Sequence, residues 1–425
     1  MSHRFSTIRV GICVLSLGIV CAANAADIKL DFGSGAPAPG FTRVAPDSAY
    51  SKDQGYGFEA NAKVTAADGY VTSEHPFYFS VAEPEGNYKV TVSLGDSSGE
   101  SDTVVKAELR RLMLENVHTD KGQIVSKSFV VNVRVPEYPG GKVHLKAPRE
   151  STMEAWAWDD KLTLEFNGKR PCVRSIEIEK VEVPTVFILG DSTVCDQSGE
   201  PYASWGQMLP RFFKPDVAVS NNAESGETLR SSEGAHRLDK VLSLLKSGDY
   251  VLIQYGHNDM KSKDPDAVAN YKAELKDWAG KIKARGGQPV FITPMNRHSF
   301  SGNTVTNSLR EYPQQVRDAA KEERVPLIDL NAMSKTMYEA LGPTPSIAMF
   351  EHAAGSQKFD QTHHSPYGAY ELAKCVIEGI RQNKLPLADH IADDVLAFDP
   401  AKPDTGQQVE IPASPAVTKL RPLGD

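Results

Sequence analysis

The stretch Val186-Phe187-Ile188-Leu189-Gly190-Asp191-Ser192-Thr193 limits what this chain can fold into more than any other: an apolar run ends abruptly at a glycine and presents a serine. Consecutive apolar residues of this kind fit a strand covered on both faces. Gly190 permits the sharp turn that lifts the next side chains to the carboxyl edge of a sheet, where open α/β sheets place their chemistry. Ser192 at that edge reads as a nucleophile. A serine hydroxyl is weakly nucleophilic at its free pKa, so the reading requires a base, a group that orients the base, and donors for an oxyanion elsewhere in the chain.

The hydrophobic period changes across this stretch. In residues 26–183 apolar residues alternate, as in Tyr88, Val90, Val92 and Leu94, in Phe129, Val131, Val133 and Val135, and in Leu162, Leu164 and Phe166. Alternation marks half-buried strands. Turn clusters such as Pro139-Gly140-Gly141 and Asn167-Gly168 separate them, so this region reads as an all-β sandwich domain. Trp156 and Trp158 fall on one face of an expected strand, where they either stack on a sugar or fill the core. Residues 184–390 differ: strands expected at 217–220, 250–255, 289–293 and 326–330 alternate with helical stretches at 205–213, 236–246, 267–285, 308–323, 331–341 and 367–380. Such alternation implies a parallel sheet with helices on both faces. Residues 391–425, rich in Pro, Asp and Ala, read as an extended C-terminal tail.

Residues 1–25 carry Arg4 and Arg9, an apolar run and then Ala23-Asn24-Ala25, the pattern of a secretory signal peptide cleaved before Ala26. The run is too short to span a bilayer comfortably, so the expectation is a secreted or periplasmic protein without a membrane anchor. The formal net charge of −8 becomes more negative by two once Arg4 and Arg9 are removed, which argues against nucleic acid as a partner. Cys172, Cys195 and Cys375 remain after cleavage, so at most one internal disulfide forms, and the sequence leaves its pairing open.

Clusters placed after expected strands supply what Ser192 lacks. In Asn221-Asn222-Ala223-Glu224-Ser225-Gly226, the bare backbone N–H of Gly226 can approach a substrate oxygen, and in Gly256-His257-Asn258-Asp259 the Asn258 amide can donate to the same oxygen. Asp360-Gln361-Thr362-His363-His364 precedes the last helix; the Asp-x-x-His spacing lets His363 act as general base while Asp360 holds its tautomer and stabilises the imidazolium. Arg297 and His298, after the fourth strand, read as candidate substrate-binding residues suited to a uronate carboxylate, and His364, which competes with His363 for the base role, as a further candidate substrate-binding residue. A zinc site from Asp360, His363 and His364 would need further ligands, and the nucleophile reading already uses two of these residues, so no metal and no cofactor is expected.

These blocks, in this order, resemble the SGNH (GDSL-type) hydrolase superfamily over residues 184–385. Within it, Gly190-Asp191-Ser192-Thr193-Val194, the Gly256-to-Asp259 block and the run from Asp360 through Thr362, His363, Ser365, Pro366, Gly368 and Ala369 are most similar to the rhamnogalacturonan acetylesterase family. Asp31-Phe32-Gly33 and Gly55-Tyr56-Gly57-Phe58-Glu59 resemble the galactose-binding-like β-sandwich module that precedes such esterase domains in secreted bacterial enzymes. The resemblance implies a three-layer α/β/α (flavodoxin-like) parallel-sheet domain preceded by the all-β sandwich. It implies Ser192 as nucleophile, His363 as base, Asp360 as its partner, and Ser192 N–H, Gly226 N–H and Asn258 as the oxyanion hole. The activity implied is a serine carbohydrate esterase that removes acetyl groups from acetylated pectin, rhamnogalacturonan first, through an acetyl-enzyme intermediate, with plant cell-wall polysaccharide as its partner. Two other readings remain at this point: an acetylesterase of another glycan such as xylan, and a non-catalytic glycan-binding protein whose sandwich does the binding.

Overall fold

The computed structural model describes residues 27–59, 62–352 and 359–416; the signal peptide expected over residues 1–25 lies outside them. The alternating N-terminal pattern builds two facing sheets. One runs Val125–Val133, Gly86–Leu94, Cys172–Lys180, Ile28–Phe32 and Thr42–Val44 across its width, and the other Tyr56–Phe58, Phe77–Ala82, Lys161–Asn167, Ser101–Ala107 and Arg111–Thr119. Tyr88, Val90, Val92 and Leu94 are wholly buried while the residues between them are only partly so, and Phe129 and Val131 stand opposite Val90 and Tyr88. A slip of one residue would turn this stripe to solvent, which is what fixes the register. Phe32, Phe58, Phe77 and Phe79 meet edge-on or tilted, with ring centroids 5.1 to 5.9 Å apart.

Trp156 and Trp158 do not share a strand face. Ala155–Ala157 form a 3-10 turn; Trp158 is buried with the Arg134 and Arg237 guanidinium carbons 4.5 and 5.7 Å from its ring, and Trp156 is half-buried against Tyr78. Cation–π packing in a dry seam thus takes the place of the expected strand pairing.

From Thr185 the chain enters a five-stranded parallel sheet of β1 (Thr185–Gly190), β2 (Ala218–Asn221), β3 (Tyr250–Gln254), β4 (Gln288–Ile292) and β5 (Leu327–Ile328), in the order 2-1-3-4-5. This is the flavodoxin-like order, with a topological switch point beside β1. Every residue of β1 is buried. Phe187 and Leu189 pack on one face with Leu275, Trp278 and Val316, whereas Val186 and Ile188 pack on the other with Trp205, Met337 and Leu372. The result is three layers. Two elements are shorter than their patterns suggest. Pro210, which lacks an N–H, converts the stretch after Trp205–Met208 into the 3-10 turn Leu209–Phe212, and Asp329 leaves β5 early because its side chain caps the next helix by accepting from Ala332 N–H.

The two halves share a core and a buried charge network. Val104 and Leu112 of the sandwich join the cluster that contains Val186, Trp205 and Phe212. Arg111, fully buried, donates to Asp196 Oδ2 at 2.7 Å and to Asn132 O at 2.9 Å, while Asn221 Nδ2 donates to Asp196 Oδ1 at 2.8 Å. The C-terminal tail returns across the same seam: Lys106 Nζ donates to Pro412 O at 2.7 Å, Asn167 Nδ2 to Ala413 O at 2.9 Å, and Glu200 N–H to Ala416 O at 2.8 Å. Cys172, Cys195 and Cys375 are each buried and free.

Asp196 is the counter-charge of two buried guanidiniums, since Arg134 Nη2 also lies 3.7 Å from it. Asp196→Ala is expected to cost about 3–5 kcal/mol, the usual penalty for stranding a buried partner, read as a lowered denaturant midpoint at unchanged m-value. A loss below about 1 kcal/mol would make the pair energetically equivalent to a surface one.

Candidate active site

β1 stops where no side chain fits. A Cβ on Gly190 would lie 2.6 Å from Val194 Cγ2 and 2.8 Å from Gln254 O, so only glycine turns this tightly here. Asp191 then closes the turn, its Oδ1 accepting from Thr193 N–H at 3.0 Å and from Thr193 Oγ1 at 2.8 Å. Burial alone would raise the Asp191 pKa, but the neighbouring His257 ring and the Thr193 hydrogen bonds outweigh it and hold the carboxyl below its ordinary value. Gln254 reaches from β3 to donate to Thr193 Oγ1 at 2.9 Å while accepting from Trp205 Nε1 at 2.8 Å, and Gln197 Nε2 donates to Ser192 O at 2.6 Å. The serine is held by its backbone on several sides.

The partner residues arrive on the strand Phe359–His364, just before the helix Pro366–Gln382, whose N-cap Ser365 accepts from Gly368 N–H. Ser192 Oγ lies 2.8 Å from His363 Nε2, and His363 Nδ1 lies 2.8 Å from Asp360 Oδ2. Asp360 Oδ1 accepts the backbone N–H of Thr362 at 2.9 Å and of His363 at 3.0 Å, contacts that favour its ionised form. An ionised Asp360 requires the hydrogen on Nδ1, leaving the Nε2 lone pair for the serine hydroxyl. Ser192, His363 and Asp360 are all buried.

The loops after β2 and β3 flank this chain. Glu224 N–H donates to Gly190 O at 3.1 Å, tying the β2 loop to the turn that carries Ser192. Gly226 has φ +78°, a left-handed conformation that favours glycine. Among the described residues no acceptor takes the Gly226 or the Ser192 N–H. Asn258 Nδ2 donates to Glu227 O at 3.0 Å and its Oδ1 accepts from Lys261 Nζ at 3.2 Å, which sets the amide and leaves a second hydrogen on Nδ2.

The expected substrate-binding set is not brought together. His364 is buried with its Nε2 2.9 Å from Tyr338 Oη, and burial followed by the nearby His363 ring pushes its pKa down to about 3. His298 is packed among Phe300, Phe350 and Phe359, with Nε2 3.0 Å from both Pro343 O and Ser346 Oγ, and burial lowers its pKa. Both imidazoles are thus buried and hydrogen-bonded within the fold. The His298 backbone N–H donates to Gln361 O at 2.8 Å, so this residue pins the segment that carries Asp360. Arg297 is half-buried, with Nη2 3.4 Å from His257 O.

Residues that sequence reasoning missed approach from the sandwich. Lys146 Nζ donates to Ser225 O at 2.6 Å, and Arg149 pairs with Glu154 and lies 3.7 Å from Glu224. Glu150, Glu154 and Glu224 bring carboxylate oxygens within 4.8 Å of one another, near enough to share a cation. Arg237 and Arg149 already neutralise this group, and burial, the first cause in each case, raises the pKa of Glu154 and of Glu224.

A 2-1-3-4-5 sheet with a serine–histidine–aspartate hydrogen-bond chain at its carboxyl edge defines an SGNH hydrolase. Residues 186–376 match the GDSL-like lipase/acylhydrolase family, and residues 28–137 match the β-agarase/YXIM esterase-like, galactose-binding domain-like family. Rhamnogalacturonan acetylesterase RhgT of Bacillus subtilis is 39% identical over 216 residues, covering 48% of this chain and 93% of that protein. The uncharacterized esterase YxiM of the same organism is 27% identical over 391 residues, covering 87% of this chain and 95% of its own. The crystal structure of the YxiM protein covers 85% of this chain and 99% of its own, with 26% identity and a TM-score of 0.47. This chain belongs to the GDSL-like lipase/acylhydrolase family and is a carboxylic ester hydrolase.

His364 gives a pH signature. Its folded pKa of about 3 lies below the ordinary 6.5, so between these values the unfolded chain takes up a proton that the native state refuses. The stability concerned is present above pH 6.5 and is lost as pH falls through that window. His364→Gln is expected to lose less Tm than the wild type between about pH 7 and 5; an equal loss would show that His364 does not titrate as its burial requires.

Proposed function

We propose that this protein is a secreted or periplasmic acetylesterase of acetylated plant cell-wall carbohydrate, with rhamnogalacturonan pectin as its foremost substrate. The observation that carries the reading is the unbroken chain from Ser192 Oγ to His363 Nε2 at 2.8 Å and from His363 Nδ1 to Asp360 Oδ2 at 2.8 Å. Ser192 attacks the ester carbonyl as His363 takes its proton, and Asp360 stabilises the imidazolium. The oxyanion is received by Ser192 N–H, Gly226 N–H and the unused hydrogen of Asn258 Nδ2. As the C–O bond to the sugar breaks, His363 protonates the departing sugar oxygen to a hydroxyl, and afterwards it activates the water that releases acetate. These steps use side chains and backbone alone. The substrate class is supported by the name of RhgT, a rhamnogalacturonan acetylesterase that this chain covers over 93% of its length.

Acetate release should be compared on acetylated rhamnogalacturonan, acetylated homogalacturonan and acetylated xylan, with Ser192→Ala alongside. The expected result is the highest wild-type rate on rhamnogalacturonan and none from the variant. A preference for xylan would move the substrate and leave the mechanism; wild-type protein that releases no acetate from any of them would favour a glycan-binding role. Asn258→Ala is expected to lower kcat by about 10²–10³ in a folded protein, and a near-normal kcat would remove Asn258 from the oxyanion hole.

A further inference from the structure

The sandwich sends one segment into the catalytic half. Between the strands Gly141–Lys142 and Lys161–Asn167 the chain lies along residues 225–237. His144 N–H donates to Ala235 O at 3.0 Å, Lys146 N–H donates to Glu150 Oε2 at 2.7 Å, and that same oxygen accepts from Arg237 Nη2 at 2.6 Å. Glu150 and Arg237 are fully buried, so the base of the segment is rigidly set. Its outcome is the placement of Lys146. The ammonium donates to Ser225 O at 2.6 Å and pairs with Glu227 Oε1 at 3.0 Å, thus gripping the residues on both sides of Gly226. The Glu227 carbonyl in turn receives Asn258 Nδ2 at 3.0 Å.

The Ser225 carbonyl and the Gly226 N–H belong to one peptide unit. A trans peptide is planar with its C=O and N–H directed oppositely, so fixing the oxygen aims the hydrogen. A glycine at φ +78° has no side chain to hold that plane, and the constraint must come from outside. A cationic donor on the carbonyl also polarises the amide and strengthens its N–H as a donor. The geometry points to Lys146 as a positioning residue of the oxyanion hole, supplied by the β-sandwich: it aims the Gly226 N–H at the developing oxyanion and steadies Asn258 through Glu227. This rests on the reading of Gly226 and Asn258 as oxyanion donors.

The test uses the full chain with 4-nitrophenyl acetate as the probe. Lys146→Met keeps the aliphatic stem and removes the donor. Its kcat is expected to fall about 10- to 100-fold, less than the loss of a whole oxyanion donor, with KM within about twofold of wild type because the interaction acts on the transition state. The Tm should fall by no more than a few degrees, as Lys146 is partly exposed and the Glu227 carboxylate keeps Ser231 Oγ and Arg237 as partners. Lys146→Arg should recover most of kcat, and Glu227→Gln, which removes the lysine's carboxylate anchor and leaves the Glu227 carbonyl in place, should lower kcat by a smaller factor. Wild-type kcat in both Lys146→Met and Glu227→Gln, with Ser192→Ala inactive, would overturn the role of Lys146 and leave the site standing. A raised KM at constant kcat would also overturn it, by making Lys146 a substrate contact. Turnover by Ser192→Ala would instead bring down the site on which the inference rests.

Discussion

The hydrogen bond between Ser192 and His363 joins residues 171 positions apart, and much of the catalytic half exists to hold it at 2.8 Å. One end is fixed by the central strand, whose apolar residues are buried on both faces and whose last residue must be glycine because Val194 and Gln254 occupy the space of a Cβ. The other end is fixed by the Phe359–His364 strand and the capped helix that follows. Because both ends are backbone-anchored within packed elements, the side chains lose little further entropy in meeting.

That rigidity extends into the N-terminal sandwich. Asp196 and Gln197, just beyond the Ser192 turn, bond to Arg111 and Arg149 of the sandwich, and Gln197 also holds the Ser192 carbonyl. Buried charges are costly unless paired, yet here they are concentrated in the seam between the two halves, with Arg111 and Arg237 among the largest fully buried side chains. Any other docking of the halves would strand these charges without their partners. A purely apolar interface would tolerate sliding; one built from directional charge pairs holds the halves in one relation.

Much of the site was legible from the sequence because each of its parts is local. Gly190-Asp191-Ser192 announces itself by the end of an apolar run, and Asp360 with His363 by a spacing that a local turn satisfies, Asp360 Oδ1 accepting the N–H groups of Thr362 and His363. His364 adjoins the base in sequence, which drew it into the site reading, but its ring is buried against Tyr338. His298 was misread for a different reason, since the aromatic side chains that enclose it come from separate segments. Lys146, Arg111 and Arg149 carry no periodic or motif signal at all. Their positions depend on how one half docks on the other, and a polar residue outside a periodic segment looks the same whether it lies on a surface or in a seam.

On the mechanism proposed above, Ser192, activated by His363, carries the acyl group during turnover. This is tested most directly by acid-quenching the protein during steady-state hydrolysis of 4-nitrophenyl acetate and mapping peptide masses. The expected result is an acetyl group on the peptide containing Ser192 and on that residue alone, accumulating while ester remains and disappearing when it is exhausted. Sustained turnover with Ser192 unmodified, or with the acetyl group on a different side chain, would contradict it.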